Sequence, residues 1–408
     1  MEIIRFTSKK IDKIYNRALL RNKKKIEEKV RNIVNDVRIY GDEALIKYTK
    51  KFDRVKFSPK QLRVSESEIS SAYQNINPEI ISALKLVIEN VNKFYRKHLK
   101  KSWRIKDGDG AILGENYRAL DSVGIYIPAG QAPLVSTVYM TVLPAKIAGV
   151  ERIALISPPD AHGNINPYIL VMANLLKVNE IYKAGGAQAI AALAFGTKTI
   201  PRVDKIVGPG NVYVSEAKRQ VFGYCDIDMV AGPTELVIIA NRFSDPKYII
   251  ADLKGQAEHL GSLPILITNS RALVKEVKSK IDNHGYIIVT RNLNQAIEIS
   301  NKIAPEHLEL LVNNPKKWLK YIKHAGAVFL GPYSPVAVGD YFAGPSHVLP
   351  TGGTARFFSG LGVSDFIKST HVIGYSKKTL EKAREPLEKI IALEGLKEHL
   401  NSVKVRFE

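Results

Sequence analysis

From Asp12 to Tyr40 the apolar residues Ile14, Leu19, Leu20, Ile26, Val30, Ile33 and Val37 recur at near-helical spacing, which predicts an amphipathic helical opening. A second helix is predicted over Asp42 to Lys51. Ser65 and Glu68 have the spacing of a capping box, and Pro78 stands where a long helix toward Lys100 can begin. Asp107-Gly108-Asp109-Gly110, set between Trp103-Arg104-Ile105 and Ala111-Ile112-Leu113, predicts a hairpin.

After Ser122 short apolar strands alternate with helices. Strands are predicted at Val123 to Ile127, Arg152 to Ile156, Glu180 to Lys183 and Lys205 to Val207, with helices over Ser136 to Ala148, Pro167 to Leu176, Ala187 to Ala194 and Asn211 to Val221. The rhythm resumes with strands at Glu235 to Ala240, Pro264 to Thr268, Tyr286 to Val289, His307 to Val312 and Ala327 to Leu330. Such alternation predicts parallel sheets covered on both faces, in two α/β units divided near Ala231-Gly232-Pro233. Beyond Pro335 the alternation gives way to a turn-rich stretch from Val338 to Gly353, a long loop of the kind that usually serves function. A helical tail follows from Lys377 to Leu400, interrupted at Pro386 and Gly395.

The length of 408 residues exceeds what one core usually holds, so two or more domains sharing a cleft are expected. With 45% hydrophobic and 25% charged residues the chain is globular and not disordered. Its single cysteine, Cys225, excludes a disulfide framework and a multi-thiolate metal site, and reads as a small buried residue in a reducing compartment. The opening Met1 to Phe6 is too mixed for a signal peptide, and no run of about 18 apolar residues occurs, so a cytoplasmic protein is expected. The net charge of +20 admits a nucleic-acid partner or attraction of anionic ligands such as a pyrophosphate. The lysines are spread along the chain without a nucleic-acid-binding motif, which favours a solvated basic surface.

Ala304-Pro305-Glu306-His307 puts a carboxylate beside an imidazole just before the apolar run Leu308-Glu309-Leu310-Leu311-Val312. Neighbours on a strand point to opposite faces, so Glu306 and His307 serve one site only where the backbone bends, and Pro305 supports a bend. The pair is the candidate acid/base centre. Gln256-Ala257-Glu258-His259 falls toward the end of a helix predicted to start after Pro246, and the i, i+3 spacing puts Gln256 and His259 on one face. His259 is the first candidate metal ligand, with Gln256 or Glu258 beside it. Asp340 and His347, in the turn-rich stretch, would add oxygen and nitrogen donors suited to zinc. Ala184-Gly185-Gly186-Ala187-Gln188 and Gly208-Pro209-Gly210-Asn211 each follow a strand and precede a helix, where open α/β sheets bind anionic ligands. Neither carries a full G-x-G-x-x-G fingerprint, so the spacing indicates either a ligand cleft or plain strand-to-helix turns, without naming a dinucleotide.

Taken together these stretches resemble histidinol dehydrogenase. The match runs through Gly124-Ile125-Tyr126-Ile127-Pro128-Ala129-Gly130, Gly185 to Gly196, Val207 to Asn211 and Asp228 to Glu235. It continues through Gln256 to His259, Pro305-Glu306-His307, Gly339-Asp340-Tyr341, His347 to Gly352, and Glu394-Gly395-Leu396 with His399. The resemblance implies oxidation of L-histidinol through L-histidinal to L-histidine, the last steps of histidine biosynthesis, with two NAD molecules and one zinc ion per subunit. It implies Gln256, His259, Asp340 and His399 as zinc ligands, the last reaching into the neighbouring subunit of a homodimer. Substrate contacts would be Thr234, Gln256, His259, His307, Asp340, Glu394 and His399. NAD contacts would be Tyr126, Gln188 and Asn211. Glu306 and His307 would transfer protons, with His347 in support. The family often has Ser where this chain has Thr234, which keeps the hydroxyl.

The implied fold is α/β, with two incomplete Rossmann-like parallel-sheet units, an N-terminal helical piece and a C-terminal helical tail exchanged in the dimer. The expected division is 1–22 as the helical piece, 23–125 with 235–361 as a discontinuous first α/β domain, 126–234 as the second, and 362–408 as the tail. A related zinc- and NAD-dependent alcohol dehydrogenase of the same fold, acting on another polar substrate, is the alternative. Glu394 and His399 argue against it, because they suit an amine and an imidazole.

Overall fold

The computed structural model describes all residues except 18–23, 75, 130–132, 260 and 282–283. Leu19 and Leu20 of the expected opening helix and Gly130 of the family-like motif therefore lie outside the described residues. In chain order the first elements are β1 (Glu2–Arg5), α1 (Lys10–Tyr15), α2 (Lys24–Tyr40), α3 (Asp42–Phe52), α4 (Glu66–Gln74), α5 (Pro78–Tyr95), β2 (Trp103–Lys106) and β3 (Ile112–Ala119). Next come β4 (Ser122–Tyr126), α6 (Val135–Ala148), β5 (Arg152–Ser157), α7 (Pro167–Leu175), β6 (Glu180–Lys183), α8 (Gly186–Phe195), β7 (Lys205–Val207), α9 (Val212–Val221) and β8 (Asp226–Ile227). The remainder are β9 (Glu235–Ala240), α10 (Pro246–Ala257), β10 (Leu263–Thr268), α11 (Arg271–Lys280), β11 (Tyr286–Val289), α12 (Leu293–Ile303), β12 (His307–Leu311), β13 (Ala327–Leu330), α13 (Val336–Tyr341), β14 (Ile367–Gly374), α14 (Lys377–Glu394) and α15 (Lys397–Lys404).

These elements form two compact units, one of residues 1–98 and 120–366, the other of 99–119 and 367–408. The larger unit holds two wholly parallel sheets, one ordered β1-β11-β10-β9-β12-β13 and the other β6-β5-β4-β7-β8. Apart from the edge strand β1, the first sheet is wound outward from β9 and the second from β4, so each reverses its winding once, between β9 and β12 and between β4 and β7. Strands that are apolar on both faces explain the arrangement. Along β9, Val237 and Ile239 join one buried cluster while Leu236, Ile238 and Ala240 join another on the opposite face. The second sheet buries Ala154, Ile156, Tyr182 and Ile206 against α2, α3, α8 and α9.

The smaller unit is an antiparallel sheet ordered β14-β3-β2, followed by α14 and α15. Ser376 caps α14 by accepting the Thr379 amide at 3.0 Å and donates to the Asp109 carbonyl at 2.7 Å, while Lys378 and Lys382 pair with the Asp109 carboxylate.

Several expectations need correction. The helices α1 and α2 fall within the expected helical opening, and the chain places ahead of them a strand the pattern did not announce, β1, which pairs with β11. The stretch after Pro335 carries the short helix α13. Pro386 sits inside α14 without ending it; only Gly395, at φ +69°, does so, because a left-handed residue stops the ladder where one missing N–H does not. The strands β8 and β14 had no clear pattern to announce them. Among the described residues no helix is long and apolar enough to cross a membrane.

Candidate active site

Ala304 closes α12 in a left-handed conformation, φ +49°, and Pro305 leads into β12, so Glu306 precedes the first strand residue, His307. The bend lets both side chains face the same neighbours at the start of β9. Glu306 Oε2 accepts the Glu235 amide at 2.8 Å, and His307 Nδ1 lies 3.0 Å from the Glu235 carbonyl and 3.6 Å from Glu306 Oε2. A carbonyl only accepts, so Nδ1 carries the proton and Nε2 is the atom that titrates. Nε2 lies 3.4 Å from Asp340 Oδ1 on α13.

Both groups are buried, and the consequences differ. Burial raises Glu306 to about 7, against the His307 charge and its hydrogen bonds from Thr234 and the Glu235 amide. Burial pulls His307 down, but the Glu306 and Asp340 carboxylates outweigh it and bring the imidazole up to about 9.

The polar network extends in both directions. Thr234 donates to Glu306 and accepts Gln256 Nε2 at 3.0 Å. On the other side His347 Nδ1 lies 2.9 Å from the Asp340 carbonyl and its Nε2 lies 3.2 Å from Thr137 Oγ1. Burial lowers His347, which keeps it neutral. Gln256, Thr234, Glu306, His307, Asp340 and His347 thus form one continuous chain of contacts, and Asp340 and His347 also line a cavity of about 890 Å³.

Asp245 caps α10 through the Lys247 amide, and Pro246 takes the first helical position. The helix ends at Ala257, so Gln256 is buried within it while His259 follows it in an exposed turn, its amide 3.3 Å from the Gln256 carbonyl. The expected shared helix face is therefore a buried residue and a turn residue. Tyr341, raised by burial, also feels both Asp340 and Glu258, which brings α13 near the end of α10. Gln256, His259 and Asp340 offer an amide oxygen, an imidazole nitrogen and a carboxylate, donors that suit a zinc-like cation. Among the described residues no three His, Cys, Asp or Glu side chains gather to hold a metal. Glu394 and His399 lie in the smaller unit, both exposed, at the end of α14 and within α15.

Tyr126, Gln188 and Asn211 line a second cavity, of about 920 Å³, at the carboxyl ends of β4, β6 and β7. Both amide atoms of Gln188 are buried without a protein partner, which fits a polar ligand in the cleft. Asn211 caps α9 through the Tyr213 and Val214 amides. Gly208 turns at φ +111°, and a Cβ there would stand 2.2 Å from the Tyr126 carbonyl, so only glycine permits this approach. A nicotinamide nucleotide fits this lining of unpaired amide, aromatic and helix-start groups.

The sequence did not reveal several participants. Asp53 lines the same cavity; burial raises its carboxyl to about 6, and it accepts the Gly185 amide, while the Tyr126 hydroxyl accepts Gly186 at 3.1 Å. Lys218 and Asp228, both buried, grip Gly208 from either side: the lysine donates to its carbonyl at 3.0 Å and Asp228 accepts its amide at 2.8 Å. Arg17 pairs with Glu235 and donates to the Ile303 carbonyl at 2.9 Å. A charge among the apolar neighbours Ile227, Met229 and Val230 was the available signal for Asp228; Lys218, within Ser215-Glu216-Ala217-Lys218-Arg219-Gln220, Arg17 and Asp53 had none.

The histidinol dehydrogenase family model matches residues 17–407. A histidinol dehydrogenase of Clostridium acetobutylicum is 47% identical over 398 residues, covering 93% of this chain and 92% of its own. One of Caldanaerobacter subterraneus subsp. tengcongensis is 47% identical over 414 residues, covering 97% and 96%. The crystal structure of histidinol dehydrogenase from Elizabethkingia anophelis superposes with a TM-score of 0.92 at 36% identity, covering 100% of this chain and 98% of that one. Similarity at this level over the whole chain, together with the joined motifs, means that the chain belongs to the histidinol dehydrogenase family of oxidoreductases.

Proposed function

We propose that this enzyme oxidises L-histidinol through L-histidinal to L-histidine, passing two hydrides in succession to two NAD molecules. The observation that supports this reading best is the single polar network joining Gln256, Thr234, Glu306, His307, Asp340 and His347 from five separate stretches of chain. In the first oxidation Nε2 of His307 takes the hydroxyl proton as the carbinol hydride leaves for the nicotinamide. In the second, Glu306 removes a proton from the water that adds to the aldehyde, and the resulting hydrate gives up its hydride to the second NAD. Burial suits Glu306 to this, since a carboxylate near 7 is a stronger base than an exposed one. His347 stays neutral and steadies Asp340 through its carbonyl.

Tyr126, Gln188 and Asn211 are the proposed NAD contacts. Gln256, His259, Asp340 and a His399 contributed across a homodimer are the proposed zinc ligands. When bound, zinc supplies an anchor for the substrate's imidazole and amino nitrogens. Thr234 and Glu394 complete the substrate contacts, the latter pairing with the ammonium group. We also read the two parallel sheets as incomplete Rossmann-like units, the division into 1–22, 23–125 with 235–361, 126–234 and 362–408 as the domain plan, the C-terminal tail as exchanged in the dimer, and the location as cytoplasmic.

The test is NAD reduction by the zinc-supplied protein with L-histidinol. Two NADH per histidinol and L-histidine as product are expected. Absence of turnover refutes the reading, and preference for a different polar alcohol favours a related dehydrogenase of the same fold.

A further inference from the structure

Glu309 interrupts an otherwise apolar strand and is completely buried. It lies two residues beyond His307 on β12 and therefore on the same face. Its Oε1 accepts the amide of Val336 at 3.1 Å, the first residue of α13, the helix that carries Asp340. Its other oxygen, Oε2, is buried with no N–H or O–H donor beside it, and its carboxyl group lies against that of Asp252 on α10, one helical turn before Gln256 and on the same side of that helix. One buried pair therefore touches three elements, and those elements carry His307, Asp340 and Gln256.

Two carboxyl groups bond to one another only while one keeps its proton. Burial favours that condition, raising both Glu309 and Asp252 above the ordinary carboxylate range. An apolar residue would fill this position in β12 at less desolvation cost. Neither acid reaches the proton-transfer pair by a hydrogen bond, so neither is assigned a chemical step.

We propose that Glu309 and Asp252 are positioning residues for the reaction: the contact between their carboxyl groups, together with the Val336 amide on Glu309, ties α10 and α13 to β12 and so fixes Gln256 and Asp340 relative to His307. This rests on the reading of the site given above. Loss of the pair is expected to disturb the chemical steps while leaving the nucleotide cavity, built on the other sheet, unchanged.

The experiment compares wild type with Glu309→Gln, Glu309→Leu and Asp252→Ala, measuring kcat and KM for L-histidinol, NAD dissociation in the absence of histidinol, and the thermal midpoint. Glu309→Gln, whose amide can both accept from Val336 and donate to Asp252, should stay within about threefold of the wild-type kcat. Glu309→Leu should lower kcat by about 100-fold, the scale of a misalignment near 1 Å, with NAD dissociation within about twofold of wild type. Asp252→Ala, at a half-buried helical position, provides the same comparison if the leucine variant does not fold, with a fall in kcat of at least about tenfold expected. The proposal is overturned if the folded leucine or alanine variant keeps wild-type kcat, if Glu309→Gln loses as much as Glu309→Leu, or if NAD binding weakens in step with kcat. A wild type that does not turn over histidinol overturns the functional reading itself, and this is visible before any variant is compared.

Discussion

Replacing Lys218 with methionine tests how the nucleotide cleft is built. Lys218 and Asp228 have side chains only 2% and 1% exposed and meet directly beneath Gly208. Methionine keeps the length of the lysine stem and removes its charge. Asp228 then remains buried with the amides of Gly208, at 2.8 Å, and Met229, at 2.6 Å, as its remaining partners. Removing one member of such a pair costs about 3–5 kcal/mol, because the other charge stays buried without compensation. For a chain of this length unfolding as one body, that corresponds to a fall of roughly 4–6 °C in the midpoint of thermal unfolding. Adding Asp228→Asn removes the stranded charge while leaving an acceptor for the Gly208 amide, so the double variant should recover at least half of the loss. Urea and thermal unfolding of both variants, with NAD dissociation measured alongside, provide the check. A single variant that loses less than about 1 kcal/mol, or a double variant no better than the single, refutes the argument that the pair acts as a charge-compensated clamp.

Glu306→Gln should spare the first hydride transfer and slow the second by about 100-fold or more, so that single-turnover experiments accumulate aldehyde; equal slowing of both steps would count against water activation by Glu306. The pH profile follows from the two raised groups: below about 7 Glu306 gains its proton and the aldehyde step falls, while the alcohol step grows until His307 loses its proton near 9. Steady-state rates with histidinol and with histidinal as substrates separate these limbs, and identical profiles for both would contradict the assignment. His399→Asn should weaken zinc retention about tenfold or more, measured by metal content after dialysis. Mixing it with a Gln256→Ala chain should restore up to one intact site per heterodimer, and no recovery in verified heterodimers argues against a shared site.

What the sequence determined by itself was the local order of the chain and the candidates for its chemistry. Period-two and helical spacing are short-range properties, so the strands β4 to β7 and β9 to β13 and the helices α6 to α9 were legible within a residue or two. The Glu306-His307 pair and the glycine turns stood out because their residue types are unusual where they fall. The family resemblance supplied roles for Gln188 and Asn211 that spacing alone left open. The tertiary structure decided which of these residues meet. Nothing local links Gln256 to Thr234 and Glu306, or Asp340 to His307; those contacts depend on β9 lying between β10 and β12 in the sheet.

The same holds for residues that looked ordinary. Asp53 sits at the end of an amphipathic helix and reads as a solvated charge until α3 packs beside α8 and brings it against Gly185. Glu309 in an apolar run was visible as an oddity, yet its partner Asp252 lies on another element. Whether a buried acid is a defect or a joint depends on that partner. Burial energy selects the elements from nearby residues, whereas a buried polar contact needs its complement delivered by the whole topology.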